Sequence, residues 1–397
     1  MTAASATTSL RLPTNVDAAA LDLRLLLPTL ALVLIGYVAI TSASVEYAAA
    51  HYGDPMHHAH RHLIYLGLSA VAAAVVLVIP IRFWAISGWA WLFLALAMLA
   101  LVLIPGIGVK VNGSRRWLDL GPLTLQASEF AKLFLVIYLA GYLQRREEQV
   151  RSEWQGFIKP MAVVFAVTLL LMAEPDFGAT VVTVGTAFGM LFLAGVKLKH
   201  FLLVVLGSVM ALTLLVISEP YRLKRLTAYT DPWADQFNSG YQLTQSLIAF
   251  GRGEWFGVGL GNSVQKLFYL PEAHTDFVFS IWAEETGLAG ALLVIGLFLA
   301  LVYRMFQVAR RRVEAGDCFG AQLCYGVALV IASQAFINIG VSTGLLPTKG
   351  LTLPLVSYGG SSLIACSAMI ALVLRVEREA ALSPVKDKPT GEHRRGR

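Results

Sequence analysis

Charge is scarce in this chain. Asp, Glu, Lys and Arg make up 14% of its 397 residues, against roughly 25% in soluble domains, which excludes an ordinary water-solvated globule. Cysteine is scarcer still. Cys318, Cys324 and Cys366 fall inside apolar runs or close to the inward side, so no external disulfide framework is implied. The first twenty residues lack a cationic start followed by a small-residue cleavage site, and residues 1–22 read as a short disordered arm. Gly251, Gly253, Gly257, Gly259 and Gly261 do not follow a strand and open a helix, which excludes a dinucleotide fingerprint. Turn formation and diphosphate cradling both stay open for them.

What is present is apolar. Hydrophobic residues are 57% of the chain and the mean hydropathy is +0.67. Ten runs approach the length that crosses a hydrocarbon core: 25–41, 63–80, 85–107, 130–143, 158–173, 179–195, 201–217, 277–303, 323–343 and 355–374. The expected fold class is an all-α polytopic membrane protein of about ten transmembrane helices with both termini on one side. Lys and Arg concentrate on that side, among them Arg145, Arg146, Arg151, Lys159, Arg304, Arg310, Arg311 and Arg312, so the positive-inside rule makes the termini cytoplasmic. The net charge of +6 reads as a topology signal and an attraction to anionic lipid, not as a nucleic-acid footprint. The organisation follows: an arm at 1–22, a membrane domain at 23–376 with a large periplasmic loop at 219–276 between spans 7 and 8, and a basic cytoplasmic tail at 377–397. Within that loop, 242–250 reads as an amphipathic interfacial helix.

Chemistry concentrates where charge meets apolar sequence. Tyr269-Leu270-Pro271-Glu272-Ala273-His274-Thr275-Asp276 runs straight into the eighth span, which is interrupted early by Glu284 and Glu285. Thr275 or Asp276 could simply cap that span. Capping, however, needs neither His274 nor Glu272, and a carboxylate partly withdrawn from water suits a general base. Arg115, Arg116, Arg252, Lys132 and Lys349 are then the natural partners for phosphate oxygens. Glu129 and Lys132, three apart, can pair on one helix face. Asp176 can cap the sixth span. His57, His58, His60 and His62 suggest a solvated loop before a metal site.

Longer motifs carry a resemblance. Arg116-Trp117-Leu118-Asp119-Leu120-Gly121, Gln126-Ala127-Ser128-Glu129-Phe130-Ala131-Lys132, Glu174-Pro175-Asp176-Phe177-Gly178, the stretch 271–285 and the stretch 344–362 resemble the SEDS proteins of bacterial cell-wall synthesis. Pro347-Thr348-Lys349-Gly350-Leu351-Thr352-Leu353-Pro354, and Glu272-Ala273 before His274, are more similar to the division branch than to the elongation branch. Ala127 departs from the family, which usually has Pro there.

The resemblance implies a glycosyltransferase of the bacterial inner membrane, at the division septum, that polymerises lipid II into peptidoglycan glycan strands on the periplasmic face. It implies Asp276 as the catalytic base and Arg115, Arg116, Lys132 and Lys349 around the diphosphate, with a divalent cation (Mg or Mn) as the one candidate cofactor. Glu129, Asp176, His274, Thr275 and Ser357 complete the implied substrate-facing set. A class B penicillin-binding transpeptidase of the FtsI type and divisome regulators are the implied partners. The competing readings are a lipid II flippase, with Glu129, Lys132, Glu284 and Glu285 along its path, and a noncatalytic scaffold.

Overall fold

The computed structural model describes residues 21–111, 114–119, 121, 124–217, 229, 231–238, 240–347 and 350–382. Helices dominate because long apolar runs can bury their backbone polar groups only against themselves in a bilayer. In order they are α1 (Leu23–Tyr52), α2 (His57–Val78), α3 (Ile81–Ile86), α4 (Gly88–Leu103), α5 (Ala127–Arg145), α6 (Glu147–Ser152), α7 (Trp154–Ala173), α8 (Phe177–Leu193) and α9 (Leu198–Ile217), then α10 (Tyr241–Gly253), α11 (Val278–Glu314), α12 (Cys318–Ser342) and α13 (Gly360–Leu382). Among the described residues, α1, α2, α7, α11, α12 and α13 are long and apolar enough to cross a membrane, and α4, α8 and part of α9 are shorter apolar helices. Every apolar run of the sequence coincides with a helix, and α10 lies over the amphipathic stretch. The last helix continues through Glu377 to Leu382.

Polar side chains set several helix starts. Asp22 accepts from the Arg24 amide at 3.0 Å, Asp176 from that of Ala179 at 3.1 Å and Asp317 from that of Gly320 at 2.9 Å. Helices α5, α12 and α13 form the inner layer, most of their residues buried. Leu27, Leu34, Phe93, Leu206 and Leu299 each expose more than half their surface on outer helices, as lipid-facing residues do. At the end of the bundle remote from Asp276, Arg304 holds Asp22 at 2.6 Å and Glu377 at 3.3 Å, tying the first helix to α11 and the last.

Three features correct the sequence reading. The chain is not wholly α: β1 (Gly108–Val111), β2 (Ser114–Asp119) and β3 (Thr124–Gln126) form an antiparallel sheet in the order β1-β2-β3, with Val109 opposite Trp117 and Trp117 opposite Gln126. Asn112-Gly113, a hairpin-turn dipeptide, stands between β1 and β2 in the sequence and lies outside the described residues. Nor do the histidines form a solvated loop. They open α2, and helical spacing turns His58 and His62 inward, 6% and 0% exposed.

The third correction matters more for the site, because α11 is two helices joined at a break. Gly287 has φ +70° and ψ −167°, so the ladder of backbone hydrogen bonds stops there. The segment after α10 supplies the missing partners: the amides of Val258 and Gly259 donate to the carbonyls of Glu284 and Glu285 at 3.0 Å each. In the other direction the amides of Leu288 and Ala289 donate to the carbonyls of Glu254 and Trp255 at 2.9 and 3.1 Å. Space is minimal, since a Cβ on Gly287 would lie 2.5 Å from the Gly257 nitrogen and one on Gly257 2.2 Å from the Glu285 oxygen. Gly253 and Gly257 are therefore close-approach residues, not a phosphate cradle. Gly287→Ala, strained in both backbone and space, should destabilise the protein by about 2–3 kcal/mol, read as a lower thermal midpoint in detergent; an unchanged midpoint would contradict the tie.

Candidate active site

Glu284 and Glu285 lie just before the break, buried, and each is ion-paired. Arg252 meets Glu284 at 3.1 Å, the Ser263 hydroxyl donates to it, and the amides of Val264 and Gln265 donate at 3.2 and 3.3 Å. Glu285 takes Lys266 at 3.1 Å and the Ser42 hydroxyl at 2.6 Å. Arg252, a candidate phosphate ligand by sequence, is thus paired with Glu284, its side chain still 44% exposed. The chain from 252 to 266 is locked onto α11 and α1, and the returning strand of chain delivers residues 272–277 to the top of α11.

Asp276 stands there, half-buried, one residue before the helix N-cap at Phe277, where no side chain caps the helix. Thr275 instead donates to the Glu272 carboxylate at 2.6 Å. Asp276 is therefore not a helix cap, and its carboxyl is pushed up to about 7. Withdrawal from water is the main cause; Glu272 and Asp176 raise it further and Arg116 opposes them. The carboxyl faces the loop after α12, where a Cβ on Gly350 would lie 3.3 Å from Asp276 Oδ2. The amide of Tyr358 in the same loop donates to the His274 carbonyl at 3.0 Å.

The turn between α7 and α8 forms the facing wall. Arg116, on β2, donates through Nε to the Glu174 carbonyl at 3.3 Å and through Nη2 to the Pro175 carbonyl at 2.5 Å. A cation there also complements the negative end of α7. Asp176 caps α8 and accepts the Ser128 hydroxyl at 3.0 Å, which links the turn to the start of α5. Glu174, not singled out by the sequence, is fully buried with neither carboxyl oxygen hydrogen-bonded. Burial pushes it up to about 8, with Asp176 adding to the shift and Arg116 opposing it.

The remaining candidates divide clearly. His274 is packed among the rings of Tyr47, His58 and Tyr358 at centroid distances of 5.3, 4.8 and 5.8 Å. Burial lowers it to about 4, so it is neutral at physiological pH and offers no cation to a diphosphate. Lys132 is 1% exposed and closes on Glu129 at 2.8 Å, one helical turn along α5. The Ser357 hydroxyl, also buried, accepts the Leu353 amide at 2.8 Å. Arg115 lies opposite Lys110 on the sheet. Lys349 lies outside the described residues. Among the described residues, no group of three or more His, Cys, Asp or Glu side chains could hold a metal ion.

The chain as a whole has counterparts among known proteins. A family described as cell cycle protein, that of FtsW, RodA and SpoVE, matches residues 23–382. The probable peptidoglycan glycosyltransferase FtsW of Hahella chejuensis is 56% identical over 366 residues, covering 92% of each chain. That of Pseudomonas fluorescens is 54% identical over 360 residues, covering 91% of this chain and 88% of its own. In three dimensions the chain superposes with TM-score 0.74 and 30% identity on a chain of a peptidoglycan synthase complex described for its coordination of polymerization and crosslinking. The match covers 91% of this chain and 98% of that one. With the rod shape determining protein RodA of Thermus thermophilus the TM-score is 0.67 at 30% identity, with the same coverage. The chain belongs to the SEDS family of FtsW, RodA and SpoVE, and within it is of the FtsW kind.

Proposed function

We propose that the chain is a peptidoglycan glycosyltransferase that polymerises lipid II at the periplasmic face, with Asp276 as general base. It does so as a ten-span protein of the inner membrane at the septum, both termini cytoplasmic. The observation that carries the reading is the half-buried Asp276 carboxyl, raised to about 7 and coupled to Arg116 at one end of the bundle. A base whose affinity for protons lies near the working pH accepts a proton efficiently in the transition state.

The acceptor's 4-hydroxyl gives its proton to Asp276 as its oxygen bonds to the donor's anomeric carbon. The bond from that carbon to the lipid diphosphate breaks on the opposite face, and the diphosphate leaves with the electron pair, so configuration inverts. Arg116, with Arg115 and Lys349, meets the leaving charge, as preorganised cations do; a divalent cation, if bound, would add charge neutralisation at the diphosphate. Lys132 acts indirectly by holding Glu129 and the first turn of α5. The likeness to a complex that coordinates polymerization and crosslinking supports a class B transpeptidase as partner, with divisome regulators acting on the pair. A transport reading finds no support in Glu284 and Glu285, since both are engaged.

Asp276→Asn should fold, bind lipid II and lose glycan synthesis by about 100-fold or more, scored on gels of products made from purified lipid II with the transpeptidase present; wild-type rates would contradict the assignment. The active form is the carboxylate and the native carboxyl is raised to about 7. The rate should therefore fall about tenfold per unit of pH below that value and level off above it; a rate flat down to pH 5 would contradict it. Lys132→Ala strands a buried carboxylate and should lower the amount of folded protein, a loss of about 3–5 kcal/mol. Lys132→Met combined with Glu129→Leu should restore both protein and polymerisation, whereas protein without polymerisation would show that Lys132 meets substrate directly.

A further inference from the structure

Asn338, near the end of α12, is 2% exposed. Its Nδ2 donates to two carbonyls at once, that of Asp276 at 2.8 Å and that of Leu351 at 2.6 Å. Of the two ends of this amide only the NH2 can donate to carbonyl oxygens, so the orientation of the side chain is fixed by what it touches. The two carbonyls belong to the two segments that frame the carboxyl. One carries Asp276; the other begins at Gly350, which faces Asp276 Oδ2.

Asn338 itself is anchored. Its carbonyl accepts the Ser342 hydroxyl at 3.0 Å, and the Ser342 carbonyl accepts Ser246 at 2.6 Å, whose hydroxyl lies 2.6 Å from that of Ser280 on α11. Leu351 also lies where a Cβ on Gly178 would come within 2.7 Å of its Cγ, so the loop that Asn338 holds abuts the start of α8 beside Asp176.

We propose that Asn338 is a positioning residue for Asp276: by clamping the Asp276 and Leu351 carbonyls to one rigid helix it holds the base against the 350–358 loop and keeps water from its carboxyl. The inference rests on the polymerase reading for its catalytic consequence but not for its structural one. A buried amide with both donors used, one on the segment of Asp276 and one on the segment that faces its carboxyl, fixes a distance that neither segment could fix alone. The tie from Tyr358 to the His274 carbonyl, two residues upstream, leaves Asp276 as the point where the segment can still swing. Around that point stand Glu272 on its own segment, Asp176 and Glu174 on the α7–α8 turn and Arg116 on β2. A shift of the carboxyl into water would weaken its coupling to Glu272, Asp176 and Arg116.

The test replaces Asn338 by Leu, which keeps the volume and removes the donors, and by Ser, which folds in a smaller space. Full-length protein is labelled with a water-soluble carbodiimide and an amine, and modification of Asp276 is followed by mass spectrometry. Labelling of Asp276 should be about threefold faster or more in both variants, and equal labelling in wild type and variants would overturn the proposal. In glycan synthesis the variants should lose about tenfold in kcat with KM for lipid II little changed, and the acidic limb of the rate should move to lower pH as Asp276 becomes solvated. A lower yield of active protein with an unmoved limb would show a merely structural residue and would also overturn it. Should wild type fail to polymerise while the labelling contrast holds, the polymerase reading falls and the positioning role stands.

Discussion

A helix interrupted inside a membrane bundle must satisfy its backbone from within the protein, and the break at Gly287 sets much of this structure. Unpaired amides and carbonyls in a medium without water cost several kcal/mol each, so the chain from Glu254 to Gly259 folds back to meet them. That return is a structural commitment. It fixes the depth of α10, forces glycine at the points of closest approach, and brings Arg252 and Lys266 onto Glu284 and Glu285. Two carboxylates that would be prohibitive alone become the seam joining the loop to α11 and, through Ser42, to α1.

The site inherits its precision from that seam. With residues 252–266 locked, the charged approach ends at the top of α11, and Asp276 meets the α7–α8 turn and the loop after α12. Burial, not a dedicated partner, is the first cause of its raised proton affinity, so the chemistry depends on how completely the surrounding segments exclude water. Arg116 has a double part: it closes the carbonyl end of α7 and sets a positive charge against the Asp276 carboxyl. Glu174, buried without partners next to it, makes this turn a place where negative charge is tightly rationed.

How far sequence reaches is clear from particular elements. The apolar runs, the helix at 242–250, the capping by Asp176 and the Glu129–Lys132 pair were legible because each is a local matter of periodicity, length or helical spacing. Asp276 was legible because charge at the lip of a span is rare. The strands at 108–126 were not, although Asn112-Gly113 carried a hairpin signal, because short polar strands offer little pattern. The break at Gly287 was hidden because a glycine in an apolar helix is common and only its contact with residues some thirty positions upstream reveals it. The occupations of Arg252, Ser357 and Asn338 are likewise long-range or turn-specific facts that composition does not encode.

Withdrawal from water, with Glu272 and Asp176 adding to it against Arg116, raises the Asp276 carboxyl toward neutral pH. Infrared difference titration of the membrane-embedded protein, wild type minus Asp276→Asn, reads that property without any assay of turnover. The account predicts a carboxyl band that disappears as pH is raised through about 7 in wild type and is absent from the variant. A band titrating near the ordinary aspartate value, about 4, would contradict it.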